Sequence, residues 1–151
     1  MKNNIVLKEF PPEKDYTDTH LAMEIAIELG VTNVTILGAT GTRFDHTIAN
    51  INLLAIFLDK NIKAQIVDAH NRIYVINEDT HLVKKEMFGP FLSLIAYSDR
   101  VEGITLTGFK YPLDNAALEK ACSLGISNEL LEQEGIIRLH TGKLIVIEAR
   151  D

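Results

Sequence analysis

The chain has 151 residues, 46% of them hydrophobic, enough for one ordinary core or two small subdomains. A formal net charge of −6 and a pI near 5.3 exclude a general binder of nucleic acid or anionic membrane, while leaving room for a local basic pocket. One cysteine, Cys122, precludes an internal disulfide framework; with no signal-like stretch after Met1, and Leu53 to Leu58 too short to span a bilayer, a cytoplasmic protein without nucleic-acid or membrane partners is expected.

Taken in order, Ile5-Val6-Leu7 is a short strand candidate ended by Pro11-Pro12. Lys14-Asp15-Tyr16-Thr17-Asp18 leads into an amphipathic helix with Leu21, Ala22, Ile25, Ala26 and Leu29 on one face and Gly30 as its C-terminal stop. Val34-Thr35-Ile36-Leu37 reads as a short buried strand. After Gly38-Ala39-Thr40-Gly41-Thr42-Arg43, the residues Phe44, Ile48, Ile51, Ala55 and Leu58 recur at helical spacing and predict a core-facing stripe ending near Asn61. Ala64-Gln65-Ile66-Val67 follows as another strand. This alternation implies a parallel sheet with helices, whose binding sites lie at the carboxyl ends of its strands.

Beyond Asn71 the texture changes. Arg72–Ile76, His81–Val83, Phe91–Tyr97, Val101–Thr107, Gly135–Leu139 and Lys143–Ile147 are short β candidates separated by turn residues. Asp114–Ala121 is the one good helical stretch in this half, and Ser127-Asn128 precedes a further small helical turn. The expected fold is α/β, with a partial parallel sheet, over residues 1–69, then a mainly antiparallel sandwich or barrel-like domain over 70–151. The short Asp68–Asn71 junction predicts that the halves pack together.

Both Lys14–Asp18 and Gly38–Asp45 fall at strand ends. At the second, exposed N–H groups and a helix dipole favour an anion, above all phosphate. Arg43 opposes the dipole in the first turn, which suggests an anion for it to meet. The bland alternative is a solvated Arg43 with Asp45 helping to cap the helix. Asp15 and Asp18 could ligate Mg²⁺ beside a phosphate, or Asp15 or Thr17 could simply cap the helix. His46 is a proton-transfer or hydrogen-bonding candidate. The glycine loop matches neither the P-loop nor the dinucleotide fingerprint. In the second half, Tyr111 could offer a π face to a ring, with Ser127 and Asn128 as hydrogen-bonding neighbours or turn residues.

Four motifs in this order resemble the thiamine pyrophosphokinase family: Lys14 to Asp18, Gly38 to Asn50, Thr107 to Leu113, and Ser127 to Glu129. The resemblance covers nearly the whole chain. It implies transfer of diphosphate from Mg-ATP to the thiamine hydroxyl, giving thiamine diphosphate and AMP, in a homodimer whose thiamine sites lie between subunits. It further implies Asp18, with Asp15, at Mg²⁺; Lys14, Thr17 and Gly41 against ATP; and Arg43 clamping the transferring phosphates. Asp45 would lie near the site with His46 positioning neighbours, either Asp18 or Asp45 could act as base, and Tyr111, Ser127 and Asn128 would contact thiamine. Family members usually carry a further N-terminal α/β stretch with a Gly-Asp-x-Asp-Ser segment completing the metal site, and none occurs in this sequence. A sheet with an exposed edge and too few metal ligands is therefore expected, as is dependence on further chain for catalysis. The alternative reading is a noncatalytic thiamine- or nucleotide-binding module that works with a second chain.

Overall fold

A computed structural model describes residues 15–151, so Lys14 and the strand candidate Ile5–Leu7 lie outside the described residues. Helix α1 (Asp18–Glu28) starts at the N-cap Thr17, whose hydroxyl accepts the His20 N–H at 3.2 Å. Gly30, at φ +71°, ends it with an N–H to the Ile27 carbonyl at 3.0 Å. That positive φ is a conformation a side chain resists, which is why glycine sits there. Of the helix residues only Met23 is buried, while Leu29, just past the end, is 76% exposed.

Strand β1 (Asn33–Leu37), helix α2 (Phe44–Asp59) and strand β2 (Lys63–Val67) form a parallel unit, with Asn33 paired to Lys63 and Leu37 to Val67. The helices touch each other, and α2 lies across β2. Val34, Ile36, Ala64 and Ile66 turn toward α2, where Leu54, Ala55 and Phe57 are buried. Two sequence expectations fail here. Strand β1 is not buried: among the described residues it pairs only with β2, and Leu37 is 74% exposed. The core stripe of α2 likewise omits its first turns: Phe44 and Ile48 face outward, and the polar Asn50 is buried instead.

The rest of the chain supplies β3 (Asn71–Ile76), β4 (Thr80–Val83), a short 3-10 turn (Lys84–Glu86), β5 (Phe91–Ala96), β6 (Arg100–Thr107), β7 (Leu113–Glu119), β8 (Asn128–Glu129), β9 (Glu134–Arg138) and β10 (Leu144–Ala149). Among the described residues, a six-stranded mixed sheet runs β1-β2-β3-β10-β5-β8, and a four-stranded antiparallel sheet runs β4-β9-β6-β7. Between them, Leu92, Leu94, Leu144 and Val146 of the first meet Val101, Ile104, Leu118 and Ile137 of the second. The large sheet crosses the junction between the halves, since β2 pairs antiparallel with β3.

Residues 113–119 are a strand and not the expected helix. Ala116 and Leu118 pair with Ile104 and Val101 of β6 and point alternate side chains inward, so cross-strand burial outweighs the helix propensity of Ala, Leu and Glu. Ser127-Asn128 likewise leads into β8 and no helical turn; Ser127 sits at φ +57° and Asn128 pairs with Leu92.

Candidate functional site

The loop after β1 is tied down by its own side chains. Gly38 turns at φ +73°, the buried Asn50 donates to the Ala39 carbonyl at 2.8 Å, and the Gly41 N–H donates to Thr47 Oγ1 at 3.2 Å. Asn50 and Thr47 thus hold from α2 a backbone that α2 itself begins. A Cβ built at Gly41 meets nothing within 4 Å, so another molecule can approach this backbone closely.

Helix α2 has Arg43 at its N-cap, with no side-chain cap. The anion that Arg43 meets is Asp45: Nε donates to Oδ1 at 3.2 Å and Nη2 donates to Oδ2. Hydrogen bonding from Arg43, together with the His46 N–H, holds the Asp45 carboxyl below its usual range, and the same partner raises Arg43. Both are exposed, as is His46. A forked cation oriented by a carboxylate beside open helix N–H groups can bind a phosphate in two places at once. Thr17 serves as an N-cap, and Asp15 and Asp18 are exposed at the start of α1. Since α1 feeds β1 from below and packs on α2, the topology puts both helix N-termini toward the carboxyl ends of β1 and β2.

The second cluster is built around Asn128, only 4% exposed. Its side chain bonds both backbone groups of Tyr111 and also accepts the Glu129 N–H at 2.9 Å. The Tyr111 ring stays 56% exposed, with Lys110 Nζ 5.5 Å from its centroid and that ammonium ion-paired to Glu129. Ser127 is exposed and donates its N–H to Ser93 Oγ at 3.0 Å. Asn128 therefore spends its carboxamide on shaping the loop that presents Tyr111.

The two clusters lie on one edge of the large sheet but not together. Register carries a single row from Leu37 through Val67, Arg72, Glu148 and Leu92 to Asn128. Five strand spacings of ~4.8 Å separate its ends, about 24 Å. In the middle, the buried Glu148 carboxylate pairs with Arg72, accepts the Tyr74 hydroxyl at 3.0 Å and the Phe88 N–H at 2.7 Å. Burial, reinforced by that negative charge, pushes the Tyr74 hydroxyl far above the usual phenol range.

Sequence reasoning missed Thr40, Thr47 and Asp68. Thr40 Oγ1 donates to Asp68 Oδ2 at 2.7 Å, joining the glycine loop to the end of β2. An aspartate three residues before Asn71 at a strand's carboxyl end was the available signal, since such side chains close turns on their own backbone.

Residues 1–66 match the family model described as "Thiamin pyrophosphokinase, catalytic domain", and residues 80–146 match "Thiamin pyrophosphokinase, vitamin B1 binding domain". The chain is 37% identical over 145 residues to the thiamine pyrophosphokinase of Bacillus subtilis, covering 96% of this chain and 68% of that protein. It is 26% identical to thiamin pyrophosphokinase 1 of Caenorhabditis elegans, of which it spans 60%. Its fold superposes on the B. subtilis enzyme's crystal structure with a TM-score of 0.86, covering 92% of this chain and 65% of that one. The thiamin pyrophosphokinase structure from Geobacillus thermodenitrificans gives 0.82 at 35% identity, again covering 65% of that chain. The chain thus spans about two thirds of the bacterial relatives it matches.

Proposed function

The chain belongs to the thiamine pyrophosphokinase family, and from that premise we propose that it carries out, or forms the larger part of a protein that carries out, diphosphate transfer from Mg-ATP to thiamine. The observation that carries the reading is the pair of clusters at opposite ends of one sheet edge, one suited to phosphate and the other to a ring. The thiamine hydroxyl oxygen attacks the β-phosphorus, the α–β bridging bond breaks, AMP leaves, and the hydroxyl proton is lost. Such a transfer depends mainly on positioning and charge neutralisation. Arg43 meets the diphosphate oxygens, and the open backbone at Gly41 lets them approach. Asp45, kept ionised by Arg43, orients that guanidinium and is a poor proton acceptor at neutral pH.

Exposed carboxylates at Asp15 and Asp18 suit Mg²⁺, which takes one or two protein oxygens and completes its shell with phosphate and water. Among the described residues, no three His, Cys, Asp or Glu side chains converge on a metal position, so the nucleotide would supply much of the shell. When bound, the ion neutralises charge on the phosphates.

Leu37, beneath the glycine loop, and Asn128, which holds Tyr111, stand five strand spacings apart, about 24 Å, farther than one thiamine reaches within a single chain. Exposed Leu37, Phe44 and Ile48 flank the first cluster, and exposed Leu124, Ile126 and Leu131 flank Ser127 and Asn128 of the second in sequence. Two copies related by a twofold axis would bring one end to the other and cover both patches. We therefore read the working form as a homodimer with shared sites. The test is chromatography of the protein incubated with Mg-ATP and thiamine. AMP and thiamine diphosphate in equal amounts are expected; binding of both substrates without product would reduce the chain to a binding module.

A further inference from the structure

Asp68 lies just past β2 and shares the carboxyl edge of the sheet with the glycine loop. Its Oδ2 accepts from Thr40, and its Oδ1 accepts the N–H groups of His70 at 2.8 Å and Asn71 at 2.7 Å. The Asn71 amide adds contacts at 3.1 and 3.2 Å. The turn that Asp68 organises is anchored from its other side, where Arg150 gives its N–H to the His70 carbonyl at 2.9 Å and its Nε to the Ala69 carbonyl at 3.0 Å. Thr40 is the only residue of the Gly38–Thr42 loop for which a side-chain bond reaches beyond α2 among the described residues.

A carboxylate beside a loop meant for phosphate would ordinarily repel the ligand. Here its oxygens face donors from the turn and Thr40, so its charge is spent within the protein. The arrangement fixes the loop without offering a bare anion to it. We infer that Asp68, through Thr40, is a positioning residue for the phosphate-binding loop, locking the backbone around Gly41 to the β2–β3 turn and so to the C-terminal strand.

This inference rests on the nucleotide reading above, and its test separates the two. The variants are Thr40→Val, Thr40→Ser, Asp68→Ala and the Thr40→Val/Asp68→Ala pair. Amide hydrogen exchange across residues 39–47 reports the loop, and calorimetric titration with Mg-ATP reports phosphate affinity, with thiamine as control. Thr40→Val should speed loop exchange, leave β3 and β10 unchanged, and weaken Mg-ATP binding roughly five- to tenfold, the net scale of one intramolecular hydrogen bond. Thr40→Ser should restore both, the double variant should be no weaker than Asp68→Ala alone, and thiamine affinity should stay level. Unchanged loop exchange in Thr40→Val, or losses that add in the double variant, overturns the tether. A wild-type chain with no affinity for Mg-ATP overturns the nucleotide reading instead, and the exchange rates alone then decide the tether.

Discussion

Asn128 holds Tyr111 by both of its backbone polar groups: Oδ1 accepts the Tyr111 N–H at 3.0 Å, and Nδ2 donates to the Tyr111 carbonyl at 2.7 Å. A single buried amide therefore decides where an exposed aromatic ring stands.

Asn128→Ala removes the partner of three backbone groups on a half-exposed loop, where water takes over in part and the net loss is about 1 kcal/mol or less for each. Stability should fall by roughly 2–3 kcal/mol in urea unfolding, with thiamine affinity lost alongside it. Tyr111→Ala should instead lose thiamine affinity with little change in the unfolding midpoint, because the ring is half exposed.

Arg43→Ala removes an exposed ion pair whose structural worth is small. The melting temperature should stay within error, while turnover falls on the order of 100-fold or more, as for loss of a group that meets transition-state charge. An equal decline in both would remove Arg43 from catalysis.

Mixing Arg43→Ala and Tyr111→Ala chains checks the shared site. If Arg43 of one copy serves Tyr111 of the other, random pairing leaves about a quarter of all sites intact, so activity should return to roughly a quarter of wild type. No recovery on mixing would place both residues in a site within one chain.

Glu148→Ala strips the partner from Arg72 and unpairs the Tyr74 hydroxyl and Phe88 N–H in the middle of the sheet. A loss of roughly 3–5 kcal/mol is expected in denaturant titration, the range for breaking a buried ion pair from one side.

Acid should weaken the Asp68 turn. Burial alone would raise this carboxyl, but hydrogen bonds from Thr40, His70 and Asn71 hold it below its ordinary value. A depressed folded pKa contributes stability that is present above the unfolded value of roughly 4 and is lost as pH falls through the lower folded one. The gap in unfolding midpoint between wild type and Asp68→Asn should be widest near neutrality and narrow in acid. A gap constant down to strongly acid pH would show that the ionised form is not favoured by folding.

Much of the chain could be read directly. The start of α1 at Asp15 or Thr17, its stop at Gly30, and β3, β5, β6, β9 and β10 follow from capping residues, alternation and turn chemistry, all local properties. The turn from β1 into α2 was legible because glycines between an apolar run and a helical stripe mark a strand-to-helix turn. The Arg43–Asp45 pair was less so, since spacing cannot say whether an arginine meets a ligand or a neighbour. Residues 113–119 misled because their helix propensity is real and β6 outweighs it.

What the sequence determined by itself is most of the elements outside residues 113–129, the family and the residue types at each end of the sheet, because these depend on neighbours within a few positions. Tertiary structure alone decided that β1 is half exposed, that Asn128 serves the Tyr111 backbone, and that Thr40 reaches Asp68 across 28 positions. It also decided that Leu37 and Asn128 end one row about 24 Å apart. Strand order and register are settled by which apolar faces bury one another, and no local pattern encodes that choice.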